Sequence, residues 1–309
     1  MRRLVQTRVG SSEIGWEIVP DPEPGPGVAV VAIEAFGLNR ADVLYLRSPE
    51  GRWRVGIDGA GVVVAAGEGG PPTGTRVVVH LPEGGAAAER IAIAAHRLVP
   101  LPEAVTSVTA AALPLPGLVA LRLLARAGEM SGRRVLVTGA TGGVGLPLIQ
   151  LARAAGAEVC AVVRGEERYE HLRGSGAEIR RDGVALPGPF DVVFESVGGP
   201  IGDRAVRAVA PGGRVVWFGQ ASARPLALDF FEFLGSGQGF SLHHFVYSDG
   251  GADPVTDLGR LVALTAEGVV RPSLGSIEDW SLTGEALYRI GAGEQQGKAV
   301  LTIPHTERD

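Results

Sequence analysis

The stretch "RRVLVTGATGGVGLPLIQLARAAGAEVCAVVRG", Arg133 to Gly165, limits what this chain of 309 residues can fold into more than any other segment. An apolar run of strand length enters a turn in which Gly139, Gly142 and Gly145 are spaced GxxGxxG. A helical run and a second apolar strand follow. Glycine has no Cβ, so one can make the tight turn, one lets backbone N–H groups approach a pyrophosphate, and one lets the helix pack close to the strand. The helix N-terminus then faces the phosphates with unsatisfied donors and a partial positive charge. Pro147 falls in the first helical turn, where a missing N–H does little harm. Placed between strand and helix, the turn reads as a dinucleotide-binding crossover, with Thr141, Gly142, Gly143, Val144 and Gly145 as its cradle.

The surrounding texture divides the chain. The first hundred residues are short β-prone runs such as "GVAVVAIEAFGL" and "GTRVVVHL", separated by "DPEPGPG" and "GGPPTG". They predict a compact, mostly antiparallel β domain. From about Leu113, helical stretches alternate with strands ("RVLVTG", "EVCAVVRG", "FDVVFESVGG", "GRVVWFG"), which predicts a parallel sheet with helices on both faces. A net charge of −5 and the lack of any basic cluster argue against nucleic acid as a partner. The apolar runs are too short to span a bilayer, and "MRRLVQTRVG" lacks a signal-peptide core, so the expectation is a cytoplasmic protein with no membrane partner. The single cysteine, Cys160, sits in an apolar run and reads as a small buried hydrophobe.

The letters "TGATGGVG" also satisfy the TGxxxGxG turn of short-chain dehydrogenases, a family that needs a catalytic Tyr with a Lys four residues later. Here Tyr45, Tyr169, Tyr247 and Tyr288 are followed at that spacing by Pro49, Arg173, Gly251 and Ala292. That reading fails. Instead the chain resembles the medium-chain dehydrogenase/reductase superfamily, in its zinc-independent quinone oxidoreductase branch. The resemblance runs through "AFGLNRADVLYLR", "GIDGAGVVVAAG", "GLVALRLLARAG", "GRRVLVTGATGGVG", "FDVVFESVGG", "APGGRVVWFG" and "QGKAVLTIP", in that order. It implies an α/β protein in two parts. A GroES-like β-rich catalytic domain would occupy residues 1–112 and be completed by 251–309. A Rossmann doubly wound parallel-sheet cofactor domain would occupy 113–250. A homodimer through the Rossmann sheet edges is also implied, and "LALDFFEFLGSG" suits either an interface or a core.

An NAD site wants an acidic residue at the end of the second strand, for the ribose hydroxyl. This chain offers Arg164 there and Arg168 shortly after, which favours the 2′-phosphate of NADP(H). The competing reading makes both arginines solvated helix-start charges; Arg180 and Arg181 rank below them. By position in the family, Val197, Gly219, Phe240 and Leu242 approach the nicotinamide. Lys298 stands either at the cofactor edge or on the surface.

Zinc-dependent relatives bind metal through Cys and His. Here Asn39 occupies the place of the first catalytic cysteine, "GIDGAG" replaces the "GHE" segment, and the four-cysteine lobe is missing. Without a Lewis acid, hydride delivery to a polarised acceptor is easier than alcohol oxidation, because a quinone or an α,β-unsaturated carbonyl spreads the charge onto its own oxygen. Asn39 is the candidate catalytic donor, or else a loop brace. Tyr45 lines the substrate pocket or packs, and Asp42 reads as structural. The departures "LRSPEGRW" and Val119 leave room for a bulky, specialised enone. The leading expectation is an NADPH-dependent reductase of quinones or activated C=C bonds. A tailoring enoyl reductase and a non-catalytic NADPH-binding protein are the alternatives.

Overall fold

The structure is a computed structural model and describes residues 1–165, 169–236, 239–247 and 253–304. The chain divides into two compact units. The first takes in everything up to Leu118 and resumes at Asp253; the second begins at Val119.

The first unit opens with a two-stranded sheet, β1 (Arg2–Gln6) and β2 (Ile14–Ile18). Its main sheet is built on β3 (Val28–Leu38), eleven residues buried along most of their length. This strand leads into α1 (Arg40–Leu46), and β4 (Asp58–Ala65), β5 (Arg76–His80), β6 (Arg90–Ala94) and β7 (Val99–Pro100) follow. Two helices come next, α2 (Ser107–Ala111) and α3 (Pro114–Ala127), the latter passing into the second unit at Val119. Gly and Pro punctuation follows several of the strands, as in Ala66-Gly67 after β4, and β-branched residues recur within them, as a half-buried pleated surface favours.

The second unit carries β8 (Arg134–Val137), α4 (Gly145–Ala154), β9 (Glu158–Val163), β10 (Glu178–Arg181) and β11 (Phe190–Glu195). It continues with α5 (Gly199–Arg207), β12 (Val209–Trp217), α6 (Phe230–Ser236) and β13 (Ser241–His244). All six strands are parallel, in the order β10-β9-β8-β11-β12-β13. The sequence of strands reverses between β8 and β11, and ligands of doubly wound sheets bind outside the carboxyl ends of the strands at such a point. The core beneath holds Leu136, Phe190, Val193 and Val215.

The chain then returns to the first unit as α7 (Pro254–Ala266), β14 (Leu274–Asp279), α8 (Thr283–Ala292) and β15 (Lys298–Thr302). The returning β15 does not join at the sheet margin. It inserts between β14 and β3, giving the order β14-β15-β3-β4-β5-β7, with β6 also paired to β3. Phe36, Ile33, Leu46, Trp280 and Leu301 share the core of this unit. Among the described residues no helix is long and apolar enough to cross a membrane.

Candidate functional site

The glycine turn begins where β8 ends. Gly139 has φ +63°, and a Cβ there would lie 2.4 Å from Ser196 Oγ. Gly142 N–H donates to Gly139 O at 2.9 Å, and Gly145 N–H donates to Gly142 O at 3.1 Å. A Cβ at Gly145 would fall 2.4 Å from Ala140 O, so only glycine lets α4 start this close to β8. The N-cap of this ten-residue helix is Val144, whose side chain has no acceptor to offer the first-turn N–H groups. Turn and helix end therefore present donors suited to phosphate oxygens. This cradle fits a dinucleotide.

Beside it, the loop after β11 is held by Glu195, which is fully buried. Its Oε1 accepts from Val197 N–H at 2.7 Å, Gly198 N–H at 2.9 Å and Thr138 Oγ1 at 3.2 Å. Thr138 Oγ1 in turn accepts from Ser196 N–H at 2.9 Å. A single carboxyl thus ties the residue before Gly139 to the loop carrying Val197. Its Oε2 is buried without a hydrogen-bond partner, and burial raises the carboxyl above the usual range despite those donors. Gly219 packs against the same loop: a Cβ on it would meet Ser196 O at 3.0 Å. The structure therefore brings Gly139–Gly145, Val197 and Gly219 together at the carboxyl ends of β8, β11 and β12.

Arg164 directly follows β9 and is exposed. Arg181 pairs in register with Val163, the last residue of that strand. Both therefore stand at the carboxyl edge on the β9 side of the glycine turn. Arg180 is ion-paired with Glu178. Arg168 lies outside the described residues. Phe240 and Leu242 require correction. In the parallel sheet Ser241 aligns with Arg214 and His244 with Trp217, so Phe240 precedes the amino end of β13. At a rise of about 3.3 Å per residue it sits about 13 Å from the end that the glycine turn shares. Phe240 packs on Phe233 (centroids 5.0 Å), and Leu242 lies exposed within the edge strand. His244 is the residue that this strand brings level with Trp217, toward the end that the glycine turn shares.

A second constellation forms in the first unit, at one end of the main sheet. Register explains it. Asp58 pairs with both Gly37 and His80, and Leu38 pairs with Ala299, so Asn39, Asp58, His80 and Lys298 converge. All four are buried. Asn39 Nδ2 donates to Asp58 Oδ2 at 2.8 Å, and its Oδ1 accepts from Lys298 Nζ at 2.6 Å. The ammonium also donates to Leu38 O at 2.9 Å and lies 3.7 Å from Asp58 Oδ2. The other oxygen of Asp58 accepts from Leu115 N–H at 3.0 Å and faces His80 Nδ1 at 3.1 Å. Burial lowers Lys298 below the ordinary lysine range, against the pull of Asp58 and Asp42. Lys298 is thus not on the surface: its side chain is 4% exposed and its ammonium is bonded inside this cluster.

Asp42 braces the same corner. Its carboxylate accepts from Asn39 N–H, Trp53 Nε1 and Gly56 N–H at 3.0, 3.1 and 3.0 Å, and burial pushes its carboxyl up to about 6. Tyr45 is half exposed and lies on the Trp53 ring with centroids 4.5 Å apart. Sequence reasoning missed Asp58, His80 and Glu195. Asp58 and His80 had a faint signal, each being a polar residue at one end of an apolar strand. Among the described residues, no group of three or more His, Cys, Asp or Glu side chains is gathered to hold a metal.

Two family profiles match in order: the alcohol dehydrogenase GroES-like domain over residues 25–103 and the zinc-binding dehydrogenase over residues 143–251. The synaptic vesicle membrane protein VAT-1 homolog of Homo sapiens is 28% identical, aligned over 93% of this chain and 82% of its own. The spectinabilin polyketide synthase system protein NorB of Streptomyces orinoci is 32% identical over 93% of this chain, which spans 14% of that much longer protein. The crystal structure of a quinone oxidoreductase from Pseudomonas syringae pv. Tomato DC3000 superposes with a TM-score of 0.81 at 27% identity, covering 97% of this chain and 99% of that one. With the GroES-like part, the parallel sheet and the glycine turn all in place, the chain belongs to the medium-chain dehydrogenase/reductase superfamily of oxidoreductases.

Proposed function

We propose that this protein is a zinc-independent, NADPH-dependent reductase that transfers hydride to a quinone or to the C=C bond of an α,β-unsaturated carbonyl. The observation that carries the reading is the chemistry gathered around Asn39. Where zinc-binding relatives place a cysteine, this chain has an amide held between an ammonium and a carboxylate. Such a group can donate a hydrogen bond to a developing oxyanion but offers no Lewis acid, which suits an acceptor that is already polarised. NADPH, when bound, supplies the hydride; the glycine cradle and α4 hold its pyrophosphate. The Glu195-braced loop and Gly219 border the nicotinamide, and Arg164 with Arg181 reads the 2′-phosphate.

The protein is tested by following loss of reduced nicotinamide with duroquinone and with cyclohex-2-enone, each with NADPH and NADH, in the presence of a zinc chelator. Saturable turnover preferring NADPH is expected. Tight NADPH binding with no turnover of either acceptor counts against an enzyme and for a binding protein. The polyketide synthase relative favours a second reading, a tailoring enoyl reductase, which turnover of only an elaborate enoyl thioester would support. A homodimer completes the proposal. The open edge strand β13 is exposed at all four positions, and nearby Phe230, Phe231 and Leu234 on α6 are 71%, 76% and 62% exposed. Apolar exposure of this kind beside a strand that is last in its sheet among the described residues is what a second copy would cover.

A further inference from the structure

Lys298 is the only lysine among 29 basic side chains, and it is buried at the first position of β15. Arginine serves everywhere else on this chain. A planar guanidinium suits bidentate or solvated sites, whereas an ammonium is a compact charge that fits among converging oxygens. Three oxygens converge here: Leu38 O, Asn39 Oδ1 and Asp58 Oδ2.

This arrangement fixes Asn39 in one orientation. With Oδ1 toward the ammonium and Nδ2 toward the carboxylate, both contacts are favourable; a flipped amide would set NH₂ against NH₃⁺ and oxygen against carboxylate. Asp58 takes one of the two amide hydrogens, leaving the second for another acceptor. The ammonium draws density from the amide carbonyl, so that second hydrogen becomes a stronger donor.

We propose that Lys298 and Asp58 are positioning residues that hold the Asn39 amide as a polarised donor toward the carbonyl oxygen of the acceptor. The inference rests on the reductase reading above. The β-carbon of an enone gains a C–H bond by taking hydride with its electron pair from the reduced nicotinamide, which is oxidised. The C=C pair moves toward the carbonyl, and the oxygen that becomes anionic is met by the Asn39 N–H. The α-carbon then takes a proton from solvent water. Lys298 enters only through Asn39. The charged groups that act on it are Asp58 on β4 and Asp42 on α1, and His80 on β5 faces the other oxygen of Asp58.

The single lysine makes the test direct. Protein labelled with ¹⁵N and ¹³C in lysine gives one side-chain signal and needs no assignment. In the NADP⁺-loaded protein, adding the unreactive ketone cyclohexanone is expected to shift that signal and to raise the pH at which Lys298 deprotonates. In Asn39→Leu both responses should disappear. A silent Lys298 in the wild type, or an equal response in Asn39→Leu, overturns the inference. A kinetic arm separates positioning from simple structure. With cyclohex-2-enone, Asn39→Leu should lower kcat on the order of 100-fold and Lys298→Met about tenfold, with KM for NADPH within about twofold. Lys298→Arg, which keeps charge but not shape, should not restore kcat; full rescue would count against the geometry argued here. If the wild type turns over no acceptor, the reductase reading fails, while the NMR arm independently supports or overturns the Lys298–Asn39–carbonyl coupling.

Discussion

Replacing Glu195 separates a hydrogen-bond clamp from a buried charge. In Glu195→Ala, the N–H groups of Val197 and Gly198 lose their acceptor in a dry environment, and the Thr138 hydroxyl loses one of its partners. Each stranded buried N–H costs about 1–3 kcal/mol, so the two together cost about 2–6 kcal/mol before any cavity is counted. Glu195→Gln keeps an oxygen at the Oε1 position for all three donors and places its amide nitrogen where Oε2 has no partner. That variant should be less destabilised than the alanine one, because it keeps the acceptor for the three donors, although its own amide N–H groups are stranded where the buried charge stood. The two differ in pH dependence. The carboxyl of Glu195 is raised in the folded protein, mainly by burial, so its contribution is complete below the unfolded carboxylate range. It is lost as pH rises through the folded value. Wild-type stability measured relative to Glu195→Gln should therefore fall as pH rises from the ordinary carboxylate range through the raised folded value, and the size of the fall reports the shift at about 1.4 kcal/mol per unit. Hydrogen exchange followed by mass spectrometry on peptides covering β8 and β11 reads this locally, and NADPH affinity should weaken in parallel in the alanine variant. Equal exchange in the alanine and glutamine variants, or a pH-independent gap between wild type and glutamine, would show that Glu195 does not clamp the loop.

Three further outcomes are expected. Arg164→Ala should weaken NADPH about 10- to 150-fold, corresponding to about 1.5–3 kcal/mol for a charged hydrogen bond, and leave NADH nearly unchanged; paired fluorescence titrations decide it. Gly145→Ala puts a Cβ 2.4 Å from Ala140 O, so α4 must shift away from β8 at a cost of about 1–3 kcal/mol. NADPH binding and the thermal midpoint should fall together, and a variant that binds normally would contradict the close-approach argument. Phe231→Asp should move the protein from dimer to monomer in sedimentation velocity without changing its fold by circular dichroism, and an unchanged mass would relocate the interface.

The parts of the fold written in local pattern were legible from the sequence. Gly139, Gly142 and Gly145 stand between an apolar strand and a helical run, and the physical demands on that turn leave few alternatives. The same holds for the contrast between a punctuated β-rich start and an alternating middle. What depended on long-range register was not legible. Lys298, read one-dimensionally, is a polar residue before a strand and looks like surface; only the pairing of Ala299 with Leu38 carries it into the interior beside Asn39. Glu195 ends an apolar strand in the same way, and nothing nearby in sequence announces Thr138 as its partner. Phe240 and Leu242 were misplaced for a related reason. A family position names a neighbourhood, but strand direction decides which end of β13 shares the cofactor edge.

The insertion of β15 between β14 and β3 has a consequence for the order of folding. The second unit is drawn from one continuous stretch of chain, so it can form while later residues are still being synthesised. The main sheet of the first unit cannot close in that way. Asn39 waits for Lys298, 259 positions downstream, and closing so long a loop is entropically late. A chain that has acquired its nucleotide fold is therefore still without the charged cluster around Asn39. Arrival of the last strand both completes the sheet and assembles that cluster, so on the function proposed above a folding intermediate able to hold cofactor would be unable to use it.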